Sequence, residues 1–484
     1  MALRVYDYLT RQKQTFKPLH QGYVGMYVCG PTVYDHSHLG HAKCYISFDI
    51  VNRYLRASGY KVRYVQNITD VGHLQGDGDV GEDKVDKRAR LEQIEPMEFV
   101  EIYTRSYFED MDKLNVLRPN ISPRASGHVP EQIEMVEKLI EKGLAYESNG
   151  SIFFSVRDWP GYGKLSGRKL DELIEGSRIE VNPDKRYPAD FAVWRAATPG
   201  HLMQWNSPWG KGFPGWHAEC TVMSMKYLGL PFDIHGGGIE NIFPHNESEI
   251  AQAEAAYGKE FARYWLLNNM VTRDGTKMGK SLGNSITLKE AFEMYDPMVI
   301  RFFILSSHYR SNTDFSDEAI KAAARGYQRL MNAVKRIRDL IQGAPSGRVD
   351  EKVQNIVEQY RTKFLMSMDD DFNTPQAIAA LFDFNREIDP LLNNETAASA
   401  ETIEVVNSFY KQAGNDILGI IPEVSPEESG AGLENELVQL IIELRAQARK
   451  ERNWALADQL RDRLTEIGIA LEDRPDGTAW RLIR

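Results

Sequence analysis

The first seventy or so residues hold the strongest constraint on the fold. VGMYVC (24–29) is a short apolar run that predicts a buried strand. After a polar turn, YISFDIVNRYLRASG carries apolar residues at helical spacing, and GYKVRYVQNI predicts a second strand. Strand, loop, helix and strand in this order make a βαβ unit, which requires a parallel sheet and therefore an α/β fold. Parallel sheets bind ligands beyond the carboxyl ends of their strands, so the loop after the first strand is where chemistry is expected.

Between about residues 120 and 210 the rhythm changes. EQIEMVEKLIEKG predicts a helix and AYESNGSIFFSV a hairpin turning on Asn149 and Gly150, and a stretch rich in Pro, Gly and Trp follows. This segment reads as an insertion into a sheet domain spanning 1–318. After about Asp314 strand signals fade. DEAIKAAARGYQRLMNAVKRIRDLI predicts a long amphipathic helix, and Thr374 is expected to cap another that has Pro375 in its first position. Residues 319–420 thus read as an α-helical bundle. IPEVSPEESGAG (421–432), acidic and rich in Pro, Gly and Ser, reads as a linker. Residues 433–484 read as a small mixed α/β domain, helical first and closing in a hairpin.

Composition limits the function classes. Apolar residues make up 42% of the 484, enough for packed interiors. Lys and Arg number 58 against 69 Asp and Glu, a net charge of −11, which excludes a general coat for polyanions but allows a local basic face. Three cysteines, Cys29, Cys44 and Cys220, suit a reducing compartment, and no disulfide framework is expected. The N-terminal twenty residues show no signal-peptide pattern, and no apolar run approaches the ~20 residues of a membrane span. A cytoplasmic protein without membrane attachment is expected.

Three familiar patterns carry little weight. GDGDVG (76–81) satisfies GxGxxG, yet Asp77, Asp79, Glu82 and Asp83 would repel a pyrophosphate. GKSLG (279–283) satisfies the nucleophile elbow, with HGGG (235–238) upstream, but no apolar strand runs into Ser281, and the only histidine after it is His308. GTKMGKS (275–281) is one residue short of a phosphate-binding loop.

Two clusters say more. PTVYDHSHLGH (31–41) fills the first crossover, and His38, Gly40 and His41 stand at the helix start. Two imidazoles there, near free backbone donors and a glycine that admits a close ligand, suit an anion. KMGKS (277–281) offers Lys277 and Lys280, whose ammonium groups suit charge developing on phosphoryl oxygens. Taken singly, the histidines read equally as structural and the lysines as a solvated basic turn. Cys29 at a strand end, Cys220 in GWHAEC, and His245 and Glu249 at i, i+4 in PHNESE form a ligand set suited to zinc, if they converge. Alone, each is ordinary core filler or a surface pair.

HLGH followed by KMGKS resembles the two signature motifs of class I aminoacyl-tRNA synthetases, with Leu39 and Gly279 where Ile and Ser are commoner. YVCGPTVYDHSHLGHA, NITDVGHL, PGWHAEC, FDIHGGG, FPHNESEIAQ, KMGKSLGN and ALEDRPDGTAWR together are similar to the cysteinyl-tRNA synthetase family over essentially the whole chain. The resemblance implies a Rossmann-like catalytic domain and a single zinc ion on Cys29, Cys220, His245 and Glu249. It further implies that ATP with Mg²⁺, L-cysteine and the tRNA for cysteine are the substrates, and that a cysteinyl-adenylate forms on the way. His38, His41, Lys277 and Lys280 would be catalytic, Gly40 and Lys280 would meet ATP, and Thr69, Trp216 and Glu240 would line the cysteine pocket. Arg449, Trp454, Asp458, Arg461 and Asp473 would contact the anticodon. Two departures stand out: Asn246, where a second histidine is common, and Glu240, where aspartate is frequent. A monomer is expected. The nearest rival, a ligase joining cysteine to an amino sugar, would lack the anticodon-reading tail.

Overall fold

The structure, a computed structural model, describes residues 2–71, 84–169, 182–278, 284–392, 398–422, 431–474 and 477–482. GDGDVG, most of the expected linker, and Gly279, Lys280 and Ser281 of the KMGKS cluster lie outside the described residues. The chain divides into two compact units, Met1–Ile421 and Pro422–Arg484.

The expected βαβ unit forms. β1 (Tyr23–Val28) leads through α1 (Leu39–Ala57) to β2 (Lys61–Gln66), and the strands run parallel with Val24 opposite Val62 and Tyr27 opposite Val65. After α2 (Trp216–Leu228) comes a second such unit, β3 (Phe232–Gly238), α3 (His245–Tyr257) and β4 (Ala262–Asn268). The four strands form one parallel sheet in the order β4-β3-β1-β2. Val24–Val28 and all of β3 are buried, so the β1 sequence reads as a continuous apolar and glycine run instead of alternating, and β3 carries Asp233 and His235 into the interior. β1 connects through α1 to a neighbour on one side, and β3 connects through α3 to a neighbour on the other. The two crossovers part between β1 and β3, and at such a switch point the carboxyl ends of the strands frame a crevice.

A three-stranded sheet follows β4. β5 (Val271–Arg273) pairs antiparallel with β6 (Thr276–Lys277) and parallel with β7 (Thr313–Asp314). Between β2 and α2 lies a five-stranded antiparallel sheet within residues 145–214. Its first hairpin turns at Asn149 and Gly150 with φ of +50° and +76°, the signs a type I′ turn needs.

Helices Asp317–Gly343, Glu351–Asp369, Thr374–Leu392 and Ala400–Tyr410 follow, and they belong to the first unit. Buried charges join them to the sheet-bearing part. Asp371 accepts hydrogen bonds from the Tyr6 amide (2.8 Å), the Tyr309 hydroxyl (2.9 Å) and Arg310 Nε (2.7 Å). Fully buried Arg301 pairs with Asp49 on α1 and donates to the Leu114 and Leu418 carbonyls. Such groups tolerate burial because every strong donor or acceptor finds a partner.

Two expectations shift by a residue or two. Asn373, not Thr374, caps its helix: Asn373 Oδ1 accepts from the Gln376 amide at 3.3 Å, while the Thr374 hydroxyl donates to the Leu305 carbonyl at 2.7 Å. Ala431 and Gly432, expected in the linker, already belong to helix Ala431–Lys450. That helix, a second at Trp454–Glu466 and the antiparallel pair Ile469–Arg474 with Gly477–Leu482 make up the second unit.

Candidate functional site

The switch-point crevice gathers the four sulfur, nitrogen and oxygen donors. Cys29 directly follows β1, Cys220 sits on the first turns of α2, and His245 and Glu249 are one turn apart at the start of α3. All four are buried, and one ligand atom from each lies within 4.8 Å of every other. Zinc bonds of about 2.0–2.3 Å set the edges of a tetrahedron at roughly 3.3–3.8 Å. His245 Nε2 is 3.0 Å and Cys29 Sγ 3.7 Å from Glu249 Oε1, so the donors suit a zinc ion in type and are gathered near the size of its coordination shell.

Neighbours hold these donors in place. Glu249 Oε2 meets His235 Nε2 at 2.7 Å, and the His235 ring stacks on Trp265 with centroids 4.2 Å apart. His217 Nδ1 contacts His245 Nδ1 at 2.9 Å, leaving Nε2 of His245 toward Glu249. Asn246 Nδ2 donates to Glu249 Oε1 at 3.1 Å and lies 3.8 Å from Cys29 Sγ. Asn246 therefore supplies support to the ligands. Such outer partners fix ligand orientation and strengthen metal binding.

The electrostatics favour a cation. The Cys29 thiol hydrogen-bonds toward Cys220 and lowers its pKa to about 6, against burial and with help from His245. Burial opposes charge on His245, but Glu249 and Cys220 raise it to about 10. Burial likewise opposes charge on Glu249, and His235 and His245 bring it well below the usual carboxylate range. The cluster thus favours the anionic forms of Cys220 and Glu249, and a divalent metal bound there would displace the His245 proton.

A cleft of about 360 Å³ opens above the cluster, and His38, Gly40, His41, Thr69, Trp216 and Glu240 line it. Trp216 packs over His245 with ring centroids 4.5 Å apart. Glu240 curls back over Gly238: a Cβ built there would meet its carboxylate at 2.6 Å. At the rim, His38 caps α1. Its Nδ1 accepts the Gly40 amide (3.1 Å), and His41 Nδ1 accepts the His38 amide (3.2 Å). With both Nδ1 atoms accepting, a neutral ring carries its proton on Nε2. The Leu39 amide goes to the Ile286 carbonyl at 3.4 Å. The expectation of free backbone donors is corrected: the His38, Leu39 and Gly40 amides are engaged within the chain.

Lys277 lies on β6 opposite Thr272, and Lys280 lies outside the described residues. In the second unit Trp454 is 59% exposed at the start of its helix, and Arg449 lies in the last turn of the preceding one. Arg461 pairs with Asp458 (3.5 Å) and Asp462 (3.3 Å), and Asp473 is opposite Thr478 in the terminal hairpin.

Sequence reasoning assigned no role to three residues that build the site: Asn67, His217 and His235. They sit inside NITD, GWHAEC and FDIHGGG, but spacing does not reveal which side chain faces a ligand. Asn67 Oδ1 accepts from the Gly30 amide (2.7 Å) and the Tyr27 hydroxyl (2.9 Å), tying the end of β1 to the end of β2.

Comparison with known proteins gives the same picture along the chain. Residues 15–325 match the family of class I (C) tRNA synthetase catalytic domains, 363–422 the DALR domain, and 436–481 the cysteinyl-tRNA ligase anticodon binding domain. The cysteine–tRNA ligase of Chlorobium luteolum is 52% identical over 491 residues, covering 100% of both chains. That of Thermus thermophilus is 50% identical over 485 residues, again covering 100% of both. Among solved structures, the Mycobacterium tuberculosis methionyl-tRNA synthetase in complex with methionyl-adenylate is similar in fold, with a TM-score of 0.61 at 16% identity over 84% of this chain and 93% of that one. No helix among the described residues is long and apolar enough to cross a membrane. Matched from end to end by relatives at about half identity, the chain belongs to the cysteine–tRNA ligase family of class I aminoacyl-tRNA synthetases.

Proposed function

We propose that this chain activates L-cysteine with ATP as cysteinyl-adenylate and transfers it to the tRNA for cysteine, with zinc on Cys29, Cys220, His245 and Glu249 selecting the amino acid. The observation that carries this reading is the convergence of those four buried donors, from positions far apart in sequence, beneath a cleft rimmed by His38 and His41. Bound zinc favours a thiolate over an alcohol, and so distinguishes cysteine from serine, which an apolar pocket separates only by roughly a hundredfold.

A cysteine carboxylate oxygen attacks the α-phosphorus of ATP, a P–O bond forms, and the bond to pyrophosphate breaks. His38 and His41 donate from Nε2 to phosphate oxygens, and Gly40 leaves room for the nucleotide beside them. Lys277 and Lys280 neutralise charge that grows on the phosphates during this displacement. Thr69 and Trp216 bound the cysteine side of the cleft, and Glu240 accepts from the substrate amino group. A hydroxyl of the terminal adenosine of tRNA then attacks the adenylate carbonyl and AMP leaves. Catalysis belongs to residues 1–318, and residues 433–484 read the anticodon through Arg449, Trp454, Asp458, Arg461 and Asp473.

The test is ATP–pyrophosphate exchange without tRNA, with cysteine and with serine in parallel. Cysteine-dependent exchange is expected, and a folded, zinc-loaded preparation that shows none would end this reading. The role of Glu240 has its own test. Gly238 has φ −74°, so alanine is not strained there, but the new methyl must displace the Glu240 carboxylate. Gly238→Ala is expected to raise KM for cysteine roughly tenfold or more, the scale of one charged hydrogen bond at ~1.5 kcal/mol, with kcat little changed. An unaltered KM would remove Glu240 from the substrate site.

A further inference from the structure

Lys43 is buried at 1% exposure on α1, and its ammonium faces no carboxylate at hydrogen-bonding distance among the described residues. Its Nζ donates to two backbone carbonyls, Met270 at 3.1 Å and Ser311 at 2.5 Å. Burial pulls its pKa down to about 8, with Glu240 acting in the opposite sense. A methionine of similar length would fill the space without desolvating a charge, and replacing buried charges by apolar residues is often neutral or stabilising. Packing alone therefore does not account for a lysine.

The two carbonyls explain it. Met270 immediately precedes β5, and Ser311 lies two residues before β7, the strand that pairs with β5. The Met270 carbonyl also accepts the Thr313 amide at 3.1 Å, so the ammonium sits where β5 and β7 join. From there the pairing continues: Thr272 on β5 is opposite Lys277 on β6, and the Asp314 carboxylate holds the intervening turn through Thr272 Oγ1 (2.6 Å) and the Gly275 amide (2.8 Å). In these same first turns α1 carries His41, two residues before Lys43, and His38 at its cap. One ammonium thus fastens the helix bearing the histidines to the base of the small sheet bearing Lys277.

We propose that Lys43 is a positioning residue that sets the distance between the His38–His41 rim and the strand carrying Lys277. The inference rests on the role given to Lys277 above. A misplacement of about 1 Å at a reacting centre costs on the order of 10²-fold in rate. Lys43→Met is therefore expected to keep its zinc and its KM for cysteine while kcat for pyrophosphate exchange falls about 10²-fold. Lys43→Arg, whose fork can reach both carbonyls, should recover most of that loss.

The deciding experiment is a double-mutant cycle with Lys277→Ala, read by exchange kinetics. If Lys43 acts through Lys277, Lys43→Met has little further effect once Lys277 is gone. Should Lys43→Met not fold, Lys43→Gln, which keeps one donor without the charge, enters the same cycle. A multiplicative loss in the double variant, or Lys43→Met exchange at the wild-type kcat while Lys277→Ala is impaired, overturns the positioning role alone. Wild-type exchange in Lys277→Ala overturns the reading of Lys277 and the inference with it.

Discussion

A Cys220→Ala variant is expected to fold, to be purified without zinc, and to lose cysteine-dependent pyrophosphate exchange by more than about 100-fold, the upper range for losing only an outer partner of a metal ligand. Cys220 is the cysteine whose thiolate form is favoured in the cluster, so its loss removes an anionic sulfur donor from the site. Polar pairs around it persist: His235 on β3 still meets Glu249 on α3, which keeps the helix against the strand, and Asn246 still donates to Glu249 within α3. Zinc content per chain and a titration with cysteine check this directly. In the wild-type protein, a chelator should abolish exchange and added zinc restore it, whereas the variant should gain nothing from added zinc. Undiminished zinc in Cys220→Ala would mean that the ion is held elsewhere. His235→Ala offers a graded comparison. It leaves all four donors but frees Glu249 Oε2, and metal affinity is expected to fall by about 10–100-fold.

The sequence announced the crevice because the chemistry there depends on residue type and local spacing. β1, α1 and β2 follow from apolar periodicity, and His245 and Glu249 at i, i+4 fall on one helical face without any tertiary knowledge. The supporting residues were not legible, because their roles exist only across strands. Asn67 bonds Gly30 from a neighbouring strand end, and Lys43 reads as a helix-surface lysine until Met270 and Ser311 close over it. The error at Thr374 has a similar cause. Its hydroxyl was needed by Leu305, a tertiary partner, and the cap passed to Asn373 one residue earlier. The expectation of free amides at the start of α1 failed because histidine side chains can cap a helix, a role usually left to Ser, Thr, Asp and Asn.

Gly30→Ala is expected to be the most damaging single methyl in the first unit. A Cβ at Gly30 would lie 1.6 Å from the Asn67 carbonyl oxygen, 2.6 Å from its carbon and 3.2 Å from its nitrogen. These are backbone atoms, so no side-chain rotation relieves the clash, and the ends of β1 and β2 must separate. The separation would break the Asn67 bonds to the Gly30 amide and the Tyr27 hydroxyl, and the residues carried with it are Cys29 on one side and Thr69 on the other. Overpacking a tight site costs about 1–3 kcal/mol and occasionally more; with backbone on backbone the upper end is expected, together with loss of zinc and exchange. Gly40→Ala supplies the contrast. There the nearest atoms belong to the His38 ring, at 2.9 and 3.0 Å, and a ring can swing aside. Its denaturation midpoint should stay near wild type while ATP-dependent exchange falls, because the displaced imidazole faces the nucleotide cleft. A Gly30→Ala protein with wild-type midpoint and zinc content would show that β1 and β2 are not held as closely as the Gly30–Asn67 contact requires.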